Sequence, residues 1–124
     1  MKISCGTDII EIERIKESIE NLKDKFLNKI YTKNEIEYCE SKKNQKYQHY
    51  AARFAAKEAI YKAISSEMDY EYSISWTDYE IVNDKSGKPR VNLIGERYKE
   101  IESIDISISH CKEYAVANVV VIHM

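Results

Sequence analysis

Apolar residues recur at Ile12, Ile15, Ile19, Leu22 and Phe26. Steps of three and four put such side chains on one face of an α-helix. The pattern predicts an amphipathic helix that runs from about Asp8 or soon after. A second helix is expected after Thr32, where TKNE has the capping-box form. There the Thr32 hydroxyl and the Glu35 carboxylate each satisfy a backbone donor left free by the first turn. The lysine-rich ESKKNQK then leads into FAAKEAIYKAI, residues 54–64. At ~100° per residue, Ala52, Ala55, Ala56, Ala59, Ile60, Ala63 and Ile64 share one arc, and Phe54, Glu58 and Lys62 stack on the opposite one. The alanines allow another element to pack closely. The other side gathers Phe54, Lys57, Glu58, Tyr61 and Lys62, and its plainest reading is a solvated face with a Glu58–Lys62 pair contributing ~0.2–0.5 kcal/mol.

The second half alternates. SISWTDYEIVND reads as a strand, DKSGKP as a turn in which Gly87 supplies backbone freedom, and RVNLI as the returning strand of a hairpin. A helical GERYKEI follows. SIDISISH, with Ile104, Ile106 and Ile108 alternating, and EYAVANVVVIH, apolar on both faces, predict a further hairpin with His110 at its tight turn. Helices first and antiparallel strands afterwards indicate an α+β fold, N-terminal helices packed on an antiparallel sheet, rather than a doubly wound α/β one.

A chain of 124 residues with 44% hydrophobic content is sized for one domain, residues 1–124. With 32% charged residues and a formal net charge of -2 it lacks the basic excess of a dedicated nucleic-acid binder. MKISCGTDII holds no apolar run long enough for a signal peptide or a membrane span, so the expected location is the cytoplasm. Cys5, Cys39 and Cys111 lack CxxC spacing and read as reduced thiols filling the core. No repeat, linker or low-complexity tract interrupts the chain.

Four places hold groups able to do chemistry: Asp8 after CGT, the face of Lys57, Glu58 and Lys62, the turn from Gly87 to Pro89, and His110 after SIS. Each also has a plainer reading. Asp8 fits a helix N-cap with Glu11 completing a capping box, Gly87 would serve any hairpin, and a histidine in a turn is most often a surface residue. No GxGxxG or Walker loop is present. Two carboxylates far apart in sequence, with lysines near one, match the needs of Mg²⁺, which takes one or two protein carboxylates and leans on substrate phosphates for the rest. That reading is a magnesium-diphosphate site.

GTD near the start, RFAAKEAIYKA at 53–63, NDKSGKP at 83–89 and SISHCKEYAVA at 107–117 together resemble the holo-acyl-carrier-protein synthases. These form the short, single-domain branch of the 4′-phosphopantetheinyl transferases, and the resemblance spans nearly the whole chain. It implies an enzyme of fatty acid biosynthesis that moves the phosphopantetheine arm of coenzyme A onto a serine of apo-acyl carrier protein, releasing adenosine 3′,5′-bisphosphate. By the same resemblance Mg²⁺ is the cofactor, with Asp8 and Glu58 as its ligands and Glu58, Lys62 and His110 as the catalytic set. Arg53, Lys57, Lys62, Gly87, Lys88, Pro89, Ser109 and His110 are expected to contact coenzyme A. Arg14, Lys25, Lys29 and Phe54 are expected to meet the carrier protein. A homotrimer with sites between neighbouring subunits is implied as well. Lys62 would steady or protonate the leaving phosphate and His110 hold the diphosphate, while the serine proton goes to Glu58 or to a metal-bound water.

Three departures from the family pattern stand out. SSEMDYEYS has no glycine where a glycine-rich turn is usual and adds Glu67, Asp69 and Glu71; Tyr61 replaces a small residue; Cys111 replaces a hydroxyl residue. Two rival readings follow from the same residues: a non-catalytic coenzyme A or carrier-binding module, and a Mg²⁺-dependent diphosphate hydrolase.

Overall fold

The structure, a computed structural model, describes residues 1–65 and 75–124. In chain order the elements are β1 (Lys2–Glu11), α1 (Ile12–Leu22), α2 (Asp24–Ile30), α3 (Lys33–Glu40), α4 (Lys46–Ser65), β2 (Tyr79–Asn83), β3 (Pro89–Leu93), β4 (Ile101–His110) and β5 (Tyr114–His123). Single 3₁₀ turns occupy Lys43–Gln45, Trp76–Asp78 and Glu96–Tyr98. Strands form an antiparallel sheet in the order β1-β5-β4 and a separate hairpin β2-β3. The α+β expectation holds.

The beginning of the chain differs from its expected form. Asp8 lies in a strand, and Glu11 precedes α1 without a side-chain capping bond. What makes β1 a strand is β5, paired in continuous register from Lys2↔His123 to Glu11↔Tyr114. A partner that distant leaves no mark on the local pattern. Ile3, Cys5, Thr7 and Ile9 point outward, while Ser4, Gly6, Asp8 and Ile10 face the helices. The expected long first helix is also broken: Lys23 adopts φ 51°, its N–H bonds the Ile19 carbonyl, and α2 starts afresh. Ile12, Ile15 and Ile19 are nonetheless buried as their spacing required.

The alanine arc of α4 seats β1. At Gly6 an added Cβ would collide with the Ala59 carbonyl oxygen and come within 3.0 Å of the Ala63 nitrogen. Nearby, Ser4 Oγ donates to the Ala63 carbonyl at 2.6 Å. Behind this crossing, Ala55, Ala59, Ile60 and Ala63 pack with Tyr79, Ile81, Ile106, Val119 and Val121. A second cluster joins α1, α2 and α3 to the first half of α4 through Ile15, Ile19, Ile30, Tyr31, Cys39 and Tyr50. Of the cysteines only Cys39 fills the core, and burial pushes its thiol up to about 12. Cys5 and Cys111 are exposed, which corrects the expectation for them.

The Thr32 capping box forms as expected. Glu35 does more than cap. Its carboxylate is buried and accepts from Lys57 Nζ at 2.7 Å, the Ile81 N–H at 2.9 Å and the Thr32 N–H at 2.8 Å. Lys57 also donates to the Trp76 carbonyl at 3.1 Å. This ion pair ties α3, α4 and β2 together inside the protein.

Both hairpins are present. The first starts at Tyr79, after the 3₁₀ turn; Ser73 and Ile74 of its expected start lie outside the described residues, as does most of SSEMDYEYS. Its turn is organised by Asp84, whose carboxylate accepts from the Ser86 and Lys88 N–H groups at 3.0 Å each, with Gly87 at φ 88°. GERYKEI makes one 3₁₀ turn rather than a longer helix, because Ile101 already belongs to β4. His110 ends β4, and the tight turn is the segment that follows, closed by the Cys111 N–H on the Tyr114 carbonyl at 2.9 Å.

Removing one partner of a buried pair strands the other's charge. Lys57→Met is expected to cost ~3–5 kcal/mol in denaturant unfolding. A loss below ~1 kcal/mol would contradict a buried charged pair at this place.

Candidate active site

Three of the expected catalytic and metal-binding side chains meet where β1 crosses α4. Asp8 comes from the helix-facing side of β1, and Glu58 and Lys62, one turn apart, from α4. Lys62 Nζ donates to Asp8 Oδ1 at 3.1 Å and to the Thr7 carbonyl at 3.1 Å. The simple Glu58–Lys62 helix pair is therefore replaced by a link across elements. The Asp8 side chain is 17% exposed and that of Lys62 53%, so the ammonium stands at the rim. Glu58 is held above the ordinary carboxylate range, first by burial and then by the negative charge of Asp8, with Lys62 opposing.

Two carboxylates thus share one field, and one ammonium, bonded to Asp8, offsets part of it. Their cavity of about 420 Å³ is lined by Asp8, Glu58, Arg14, Ser18, Phe26 and Phe54. Phe54 forms its wall, stacked on Phe26 at 6.3 Å and on Trp76 at 5.9 Å between ring centroids. Among the described residues no group of three or more His, Cys, Asp or Glu side chains could hold a metal. Mg²⁺ asks for less, since one or two carboxylates suffice where phosphate oxygens and water complete the shell. The unbalanced Asp8–Glu58 pair fits that ion.

Of the remaining expected residues, Arg14 and Phe54 line this cavity and the others lie elsewhere on the same chain. His110 is exposed, its ring 5.9 Å from that of His49. Because His49 precedes Glu58 by nine residues on α4, about 13 Å of helix separates the two. Gly87 is tied to Asn83, whose Nδ2 donates to its carbonyl at 2.9 Å. Lys88 pairs with Asp105 at 3.6 Å and, with Pro89, borders a second cavity of about 550 Å³ along β4 and β5. Ser109 sits on the outer side of β4 opposite Val116. Arg14, Lys25 and Lys29 are exposed on α1 and α2.

Lys57 and Arg53 need correction as coenzyme A contacts. Lys57 is fully buried, and burial holds its ammonium below the usual range against the pull of Glu35. Arg53 is 3% exposed, donates to Asn83 Oδ1 at 2.8 Å and lies 4.1 Å from the Tyr38 ring centre. Both hold elements together. The arc drawn at ~100° per residue put Lys57 beside Glu58 but did not show α3 and β2 closing over it. Neither the buried Glu35–Lys57 pair nor the His49–His110 contact is legible in the sequence: the capping box accounts for Glu35, and nothing local marks His49.

An α+β unit that presents paired carboxylates in one cavity, with a lysine bonded to one of them, has the equipment of a metal-assisted phosphoryl-type transferase. A family model described as the 4′-phosphopantetheinyl transferase superfamily matches residues 4–119. The holo-[acyl-carrier-protein] synthase of Ruminiclostridium cellulolyticum is 49% identical, covering 98% of this chain and 92% of its own. That of Protochlamydia amoebophila is 45% identical over 94% and 95%. Among solved structures, the Helicobacter pylori holo-[acyl-carrier-protein] synthase in complex with coenzyme A superposes with a TM-score of 0.82 at 34% identity, over 94% of this chain and 98% of that one. The Bacillus anthracis enzyme in complex with CoA (3′,5′-ADP) gives 0.76 at 36%, over 95% and 94%. The chain belongs to the 4′-phosphopantetheinyl transferase superfamily, in its short holo-acyl-carrier-protein synthase branch.

Proposed function

We propose that the chain transfers 4′-phosphopantetheine from coenzyme A to a serine of apo-acyl carrier protein, for fatty acid synthesis, with Mg²⁺ as its cofactor. The observation that carries this reading is that Asp8 and Glu58 line one cavity while Lys62 is hydrogen-bonded to Asp8. In the reaction a bond forms between the serine oxygen and the phosphorus bearing pantetheine, and the bond to the outgoing adenosine 3′,5′-bisphosphate breaks. Asp8 and Glu58 would hold Mg²⁺, which would supply fixed positive charge to the diphosphate. Lys62, half exposed at the rim, offers its ammonium to the leaving phosphate, where negative charge grows. The serine proton goes to the Glu58 carboxylate or to a water held beside it. Arg14 at the cavity, with Lys25 and Lys29 on α2, offers positive charge to an acidic carrier, and Phe54 gives the incoming serine an apolar wall.

His110, Ser109 and the Gly87–Pro89 turn complete the coenzyme A site from a neighbouring copy in a homotrimer. The roughly 13 Å of α4 between Glu58 and His49, the neighbour of His110 within one chain, supports this division. So does the outer face of the β1-β5-β4 sheet, where Ile3, Ile9 and Val120 are 66%, 64% and 48% exposed and register sets Ile3 beside Ile122 and Ile9 beside Val116. Three free cysteines suit a reducing cytoplasm.

In a mixture of protein, coenzyme A, Mg²⁺ and apo-carrier, mass spectrometry should show the carrier gaining the arm as nucleotide is released. Nucleotide without modification would mean hydrolysis, and neither product a binding module. Glu58→Gln should keep the thermal midpoint and lose at least ~100-fold in turnover; full activity in that variant would defeat the assignment. Light scattering should return three times the chain mass, and a monomer would overturn the shared site.

A further inference from the structure

We propose that His49 is a positioning residue for coenzyme A: its ring meets His110 edge to face and fixes the direction in which the His110 imidazole addresses the cofactor. The proposal rests on the reading of His110 as a coenzyme A contact. His110 is the last residue of β4 and is exposed, so little of its own strand restrains the ring. His49 reaches it from the first half of α4 at 5.9 Å between ring centroids and 64° between planes. That is within the range in which the positive edge of one aromatic ring attracts the face of another.

His49 is itself braced. Tyr38 of α3 meets it at 5.6 Å and 77°, and the same tyrosine carries the Arg53 guanidinium 4.1 Å and the Lys42 ammonium 4.7 Å from its ring centre. A continuous file from Tyr38 through His49 to His110 therefore runs from the body of the protein to the exposed end of β4. The charged or titratable groups acting on His49 are Arg53, Lys42 and His110, and together with burial, the largest cause, they push its pKa down to about 4. At neutral pH it presents an uncharged ring, which braces His110 without repelling either its cationic form or an approaching cation.

The test is a double-mutant cycle read as KM for coenzyme A and kcat at saturating carrier. His49→Leu fills the space without a ring, His49→Phe keeps a ring that cannot titrate, and both are combined with His110→Ala. His49→Leu should raise KM about 3- to 10-fold with kcat within about twofold, while His49→Phe restores KM. In the His110→Ala background, His49→Leu should add nothing. Effects that multiply, or an unchanged KM in His49→Leu beside a raised one in His110→Ala, would overturn the positioning role alone. An unchanged KM in His110→Ala would remove the reading beneath it and the proposal with it. Where His49→Leu does not fold, His49→Gln, polar and ringless, takes its place with the same expectations.

Discussion

Backbone meets backbone where β1 crosses α4, and the rest of the site depends on that approach. A side chain on Gly6 would strike the Ala59 carbonyl, so this position can hold only a residue without a Cβ. Successive side chains of a strand alternate, which puts Asp8, two residues on, over the same helix. Glu58 precedes Ala59 on α4 and Lys62 follows it within a turn. A close crossing of small residues thus determines how near the strand's carboxylate comes to the helix's own. Lifting β1 by the width of a methyl group would loosen the Lys62–Asp8 link as well.

Two lysines on α4, five residues apart, show how surroundings divide labour. Lys57 points inward, and its charge is answered by Glu35, which also takes the Thr32 and Ile81 N–H groups. Such a pair is costly to bury and more costly to break, so it locks α3 and β2 against α4. Lys62 points outward and answers only part of the negative charge of Asp8 and Glu58. The remainder is what a hard divalent cation would neutralise.

Legibility in the sequence followed the range of the forces involved. The α4 helix, the Thr32 capping box and the existence of both hairpins are written in local periodicity and turn chemistry, while the first hairpin starts later than read, at Tyr79, and His110 ends a strand rather than forming the turn. The strand β1 was hidden because its partner is at the other end of the chain, and the break at Lys23 because nothing local favours positive φ in a lysine. For the site, motif matching pointed to Asp8, Glu58 and Lys62, which do meet. Periodicity on one helix could not tell that Lys57 and Arg53 face other elements. Nor could a list of motif residues say that His110 stands beside His49 rather than beside Lys62.

The central claim is that Asp8 and Glu58 share one ion. Titrating Mn²⁺ into the protein with coenzyme A present, while following loss of the free-ion electron paramagnetic resonance signal, tests it without relying on turnover. One ion per chain is predicted, with binding weakened at least ~10-fold in both Asp8→Asn and Glu58→Gln. Undiminished Mn²⁺ binding in either folded variant would contradict the account.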